Sequence, residues 1–159
     1  MLKLIVVGCI IGVAGTIAMD IWAIVLNKVF KQPLPNWGNV GRWFYHLPKG
    51  QFTHQSIGNA AAYQHETALG WTMHYVIGAI YGLLVTLIGG ASWVAAPSFG
   101  IPLFVGLVTV GAGWFILQPG VGAGIAASKT PNPTKIRSLN IIAHVIFAIG
   151  MYAAAVALA

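Results

Sequence analysis

Acid is nearly absent from this chain. Of 159 residues only Asp20 and Glu66 are acidic, against eight Lys and Arg, and charged residues make up 6% of the total. A water-soluble domain carries roughly 25% charged residues. A chain of this length must cover a large part of its surface with polar groups if water is its solvent. This one cannot, because 58% of its residues are hydrophobic and its mean hydropathy is +0.82. The composition therefore excludes a soluble globular protein and requires a lipid bilayer around the chain. Two acidic residues are also too few for a ferritin-like di-iron centre, which takes four glutamates and two histidines.

Cysteine is equally scarce. Cys9 is alone, so an internal disulfide and a CxxC metal or redox motif are both excluded. Val7-Gly8-Cys9 has too short a leader before it for a lipoprotein signal. Signal-peptide cleavage after Ala18 is disfavoured because the apolar run continues to Leu26. Other catalytic signatures are missing too. There is no G-x-S-x-G turn, His65-Glu66 is not followed by the second histidine of a zinc-protease helix, and the glycines after Gln118 lack the phosphate-loop spacing. No internal repeat suggests an inverted-repeat transporter.

What is present is four apolar runs of spanning length, at about 2–26, 67–88, 98–117 and 138–158. Pro97 and Pro102 fall in or near the first turn of the third, where proline is tolerated. The expected fold is all-α: one transmembrane domain over 1–159, an integral membrane four-helix bundle. Four spans place both termini on one side. The long first loop, 27–66, carries Lys28, Lys31, Arg42 and Lys49, and the loop 118–137 carries Lys129, Lys135 and Arg137. The terminal side keeps only Lys3. The positive-inside rule then makes these two loops cytoplasmic and puts both termini outside. The net charge of +6 reads as this topology signal, and no nucleic-acid partner is expected.

Within the first loop, Trp37, Val40, Trp43, Phe44 and Leu47 recur at a helical period, with Arg42 off the apolar face. The period predicts a short helix lying in the membrane interface. Gly8 and Gly12, Ala14 and Ala18, Gly78 and Gly82, and Gly150 and Ala154 are small-xxx-small pairs. They suit close helix packing inside one bundle or a seam between copies in a homo-oligomer.

Ionisable side chains inside a span cost roughly 2.5 kcal/mol or more and point to function. Asp20, His74 and His144 come from three different spans, yet each lies about 10 Å below the same cytoplasmic surface. Glu66 opens the second span, with Gly70 and His74 on its face, and His54 stands in the first loop. Imidazole with carboxylate suits a transition-metal ion such as Zn, Cu or Fe. Asp20, His74 and His144 are the expected ligands, with Glu66 or His54 as a fourth. A haem b variant needs only an axial pair, His74 with His144. The alternatives are a structural polar cluster in a small accessory or assembly subunit of a larger membrane complex, a proton-coupled or ion-coupled transporter, and an enzyme acting on a lipid or quinone-like substrate. His46 and His65 are expected in solvent. The glycine- and proline-rich segment after Gln118 could fold back as a lid.

Several segments together resemble a known family. They are Gly12-Val13-Ala14-Gly15-Thr16 with Met19-Asp20, Gly41-Arg42-Trp43, Phe52-Thr53-His54, Glu66 with Gly70-Trp71 and His74-Tyr75, Gln118-Pro119, Ala126-Ala127-Ser128 with Thr130-Pro131, and Arg137-Ser138-Leu139 with His144. Nearly the whole chain is similar to a bacterial family of four-span proteins known as domain of unknown function 2938. The resemblance implies a protein of the bacterial inner membrane, in which the charge-derived orientation makes both termini periplasmic. It brings no catalytic assignment.

Overall fold

The computed structural model describes residues 1–159. All regular structure is helical: α1 (Leu2–Phe30), α2 (Trp37–His46), α3 (Glu66–Ala95), α4 (Gly100–Ala112), α5 (Gln118–Val121) and α6 (Pro133–Leu158). Short 3-10 turns cover Leu47–Lys49, Ile57–Asn59 and Ile125–Ala127, and a π-helical turn, Gly113–Leu117, carries α4 into α5. Four helical segments are long and apolar enough to cross a membrane: Leu2–Phe30, Glu66–Ala95, Gly100–Val121 and Pro133–Leu158.

The helices run past the expected span ends for local reasons. α1 continues to Phe30 and stops where Lys31 turns left-handed (φ 54), its N–H donating to the Leu26 carbonyl. Lys28 in that last turn complements the helix dipole. α6 begins at Pro133, which needs no N–H partner at a first helical position. Asn132 caps it, with Oδ1 accepting from Lys135 N at 3.1 Å. The helical run of α3 reaches Ala95 only by way of Gly90, where φ of 67 breaks the helix.

Two compact units make up the chain. The first comprises Met1–Leu34, Tyr75–Thr109 and Ile141–Ala159. It is a bundle of segments from α1, α3, α4 and α6 around Val7, Ile11, Val85, Val105, Phe147 and Met151. Large apolar side chains on all four helices, such as Ile10, Ile80, Val108 and Ile149, point outward, as a lipid solvent requires. The small-residue pairs are used between helices of the same chain. A Cβ at Gly12 would collide with the Gly78 carbonyl, and one at Gly82 with the Gly8 carbonyl and Gly12. Gly150 meets Ala18 and Gly15 in the same way. Such backbone proximity is how membrane helices gain packing energy where lipid is as apolar as they are. Buried hydroxyls turn to backbone: Thr16 Oγ1 donates to Gly12 O at 2.9 Å and Thr109 Oγ1 to Val105 O at 2.8 Å.

The second unit comprises Pro35–His74 and Val110–Asn140. Here α2 forms where the periodicity places it, capped by Asn36, whose Oδ1 accepts from Asn39 N at 3.1 Å. Its buried residues are Gly38, Gly41, Trp43 and His46. Gly41 and Gly70 let α2 and the start of α3 touch backbone to backbone: a Cβ at Gly41 would strike the Glu66 carbonyl, and one at Gly70 the Trp37 carbonyl.

Candidate functional site

The close approach of α2 to α3 brings Arg42 onto Glu66. Arg42 Nε donates to Glu66 Oε2 at 2.7 Å and Nη2 to Oε1 at 2.8 Å, a two-pronged pair with side chains 13% and 19% exposed. Nη1 donates to the carbonyls of Ile57, Gly58 and Ala60 at 3.2, 3.0 and 3.2 Å, so one guanidinium also closes the loop before α3. Glu66 Oε2 accepts in addition from Tyr63 N at 3.2 Å, as in a capping box. The hydrogen bonds to Glu66 hold the Arg42 guanidinium above its ordinary pKa, with burial opposing them. Arg42 is thus a half-buried clamp, and its place off the apolar face of α2 is where it meets Glu66. The glycine crossing of Gly41 and Gly70, invisible to hydropathy, brings the two helices close enough for the pair to form.

Beside the clamp lies an aromatic and histidine layer. Tyr45 and Tyr63 stack with ring centroids 4.3 Å apart, and Lys49 Nζ sits 3.6 Å over the Tyr45 ring. Trp43 Nε1 donates to Phe52 O at 2.9 Å. His46 is 5% exposed, which corrects its expected place in solvent. Its Nδ1 lies 2.5 Å from Gln51 Oε1 and its Nε2 3.0 Å from Ala61 O. His65 is exposed.

His54 is different. Its Nδ1 donates to Gly120 O at 3.0 Å, and its backbone N donates to the same carbonyl at 3.0 Å. In the neutral ring that fixes the tautomer and leaves the lone pair on Nε2. Nε2 is buried and has no hydrogen-bond partner. A hollow of about 640 Å³ is lined by His54, His46, Gln51, Thr53, Ala60 and Ala61 among others.

The remaining expected ligands are held in other ways. In the first unit Tyr75 Oη donates to Asp20 Oδ2 at 2.8 Å, and His144 is half-buried on α6, its carbonyl packed against Gly106. In the second, the His74 ring stacks on Trp37 at 3.9 Å, and Glu66 is committed to Arg42. Nowhere do three or more His, Cys, Asp or Glu side chains gather so as to hold a metal ion.

The segment after Gln118 is pinned. Ala123 N donates to Gln118 O at 2.8 Å, Lys129 N to Ala123 O at 2.9 Å, and Arg137 Nε to Ala126 O at 2.7 Å. Ala126 and Ala127 both have positive φ, 48 and 60, an unusual pair for residues with a Cβ. A second polar knot, not anticipated from sequence, is built on Asn140. Its Oδ1 accepts from Trp114 Nε1 at 3.0 Å and from Gln118 Nε2 at 2.9 Å. No local spacing signals it, since Asn140 lies 22 and 26 positions from its partners.

No curated protein and no solved structure matches the chain significantly. A family model described as a protein of unknown function, DUF2938, matches residues 9–158. That match spans nearly the whole chain, and the chain belongs to this family.

Proposed function

We propose that this is a multi-pass protein of the bacterial inner membrane that binds a small molecule through His54. In this reading 27–66 and 118–137 face the cytoplasm, the termini are periplasmic, and α2 lies in the membrane interface. The support is the basic residues of those loops and the apolar length of the four helices. One observation carries the binding reading: the His54 imidazole is oriented by Gly120 and keeps a buried nitrogen without a partner. A histidine whose Nδ1 is fixed on a backbone carbonyl is the usual arrangement for one whose Nε2 serves a ligand. An unsatisfied buried polar atom costs about 1–3 kcal/mol, which a bound partner would recover.

The bound group is a haem b or a transition-metal ion with His54 as its protein donor, or an organic molecule that donates a hydrogen bond. A haem or metal would supply redox or Lewis-acid chemistry, and the protein would supply the oriented imidazole. A second reading is an accessory subunit whose polar groups only fix helix register. The mutual pairing of Arg42 with Glu66 and Asp20 with Tyr75 favours it.

The test is purification in mild detergent, followed by absorption spectroscopy, elemental analysis and native mass spectrometry. Wild type should carry a Soret band, about one metal ion per chain or a bound organic mass, and His54→Ala should lose it. Identical, ligand-free spectra and masses for both proteins would leave only the accessory reading.

A further inference from the structure

The two guanidinium groups of the second unit are used in opposite ways. Every nitrogen of Arg42 is bonded within the chain, to Glu66 and to three loop carbonyls. Arg137, in the second turn of α6, is bonded only at Nε, which donates to Ala126 O at 2.7 Å. Arg137 is half-buried, yet no nitrogen of it is both buried and unpartnered, so Nη1 and Nη2 are accessible. The carbonyl that holds Nε belongs to a strained turn, in which Ala126 and Ala127 are both left-handed, with φ of 48 and 60. Residues with a Cβ rarely adopt that conformation, and strain of this kind gathers where a functional group must be aimed. Two lysines adjoin the turn and the arginine. Lys129 follows the turn, its N held by Ala123 O and its Cγ against Gly124. Lys135 precedes Arg137 on α6, and both lysines are exposed. No acidic residue occurs between 118 and 137. The one carboxylate of the unit, Glu66, is taken by Arg42.

From this arrangement we infer that Arg137, Lys129 and Lys135 form a site for the phosphate of an anionic phospholipid. The Nη edge of a guanidinium is a planar fork that matches two phosphate oxygens, and a fork already fixed at Nε loses little freedom on binding. The lysines add point charges. Charge decides the class of lipid. Three cations without a free carboxylate in the unit favour a headgroup of negative net charge, and they offer nothing to the ammonium of a zwitterionic one. Position decides between a lipid and a dissolved anion. Arg137 stands near the start of the Pro133–Leu158 candidate span, the level of headgroups. Ile125, 59% exposed in the adjoining loop, adds an apolar contact suited to the membrane interface. The inference rests on the membrane-spanning reading and is independent of His54.

The full chain in mild detergent is titrated with dioctanoyl phosphatidylglycerol and with dioctanoyl phosphatidylethanolamine, and bound lipid is read by native mass spectrometry. Inorganic phosphate and a glutamate-rich peptide serve as competitors. Phosphatidylglycerol should bind about tenfold tighter than phosphatidylethanolamine. Arg137→Gln should weaken it about tenfold, the worth of one charge-assisted contact. Arg137→Lys keeps the charge without the fork and should recover only part of the affinity. The double variant Lys129→Gln/Lys135→Gln alters two exposed side chains and should weaken binding severalfold, and it decides the matter if Arg137→Gln does not fold. Lys28→Gln/Lys31→Gln, which takes the same charge from the end of α1, should leave binding nearly unchanged. No binding of phosphatidylglycerol, equal binding of the two lipids, full affinity in Arg137→Lys, or unchanged binding in the folded Arg137→Gln or Lys129→Gln/Lys135→Gln protein would overturn the site. So would an equal loss from the Lys28→Gln/Lys31→Gln variant. Displacement of the lipid by equimolar phosphate or by the acidic peptide would overturn the lipid assignment.

Discussion

The two units solve the same problem, burying backbone and side chains without acid or cysteine, by opposite means. In the bundle of α1, α3, α4 and α6, contact is made by what is missing: glycines remove side chains so that helices meet backbone to backbone. Its hydroxyls bond locally, within their own helix or to a neighbouring one. In the unit around α2, glycine contact at Gly41 and Gly70 serves instead to bring a charged pair together. Long polar side chains then tie loops to helices: Arg42 to three carbonyls, Trp43 to Phe52, Arg137 to Ala126. The lesson is that a bilayer removes the hydrophobic drive between helices but not the need for specificity. The bundle obtains specificity from shape, and the second unit from directional bonds.

The comparison can be broken most severely at the clamp. Arg42→Ala leaves the Glu66 carboxylate without its partner and three carbonyls without a donor. It should cost about 3 kcal/mol in thermal unfolding in detergent. Tyr75→Phe, which removes one neutral donor to Asp20, should cost only about 1 kcal/mol. If both variants melted alike, the contrast between the units would fail. Shape is tested next. Gly12→Ala and Gly41→Ala each push a methyl into backbone, and each should cost about 2 kcal/mol. A double variant Gly41→Ala/Arg42→Ala should lose less than the sum of the singles, because the crossing and the clamp share one contact. Additive losses, measured in the same melts, would show them to be independent. The smallest effect has the opposite sign. Ala126 sits at φ 48, so Ala126→Gly should remove about 1 kcal/mol of left-handed strain, partly offset by unfolded-state entropy, and raise the melting temperature slightly. A fall would mean that the Ala126 methyl is held by packing that outweighs the strain.

The helices and the family were readable in advance because both rest on one-dimensional patterns. Apolar runs announced the four long helices, and the period of Trp37, Val40, Trp43 and Phe44 announced α2. His54 could be picked out as a candidate, but not for the reason that now distinguishes it. Its importance lies in Gly120, distant in sequence, which orients the ring. The charge on Arg42 was read as a topology signal because nothing local links it to Glu66, 24 positions away. Gln118 was noted only as a helix end, since an orphaned amide oxygen exists only once Asn140 has claimed the other side of the group.

Solvent and secondary structure thus followed from composition and periodicity alone. With so few charges the chain must dissolve in lipid, and in lipid each backbone must satisfy itself as helix. Which polar atoms found partners, and which were left buried without one, was settled only when distant segments packed. Hydrogen bonds reach about 3 Å and depend on direction, so they are fixed by three-dimensional neighbours that no local pattern in the chain encodes.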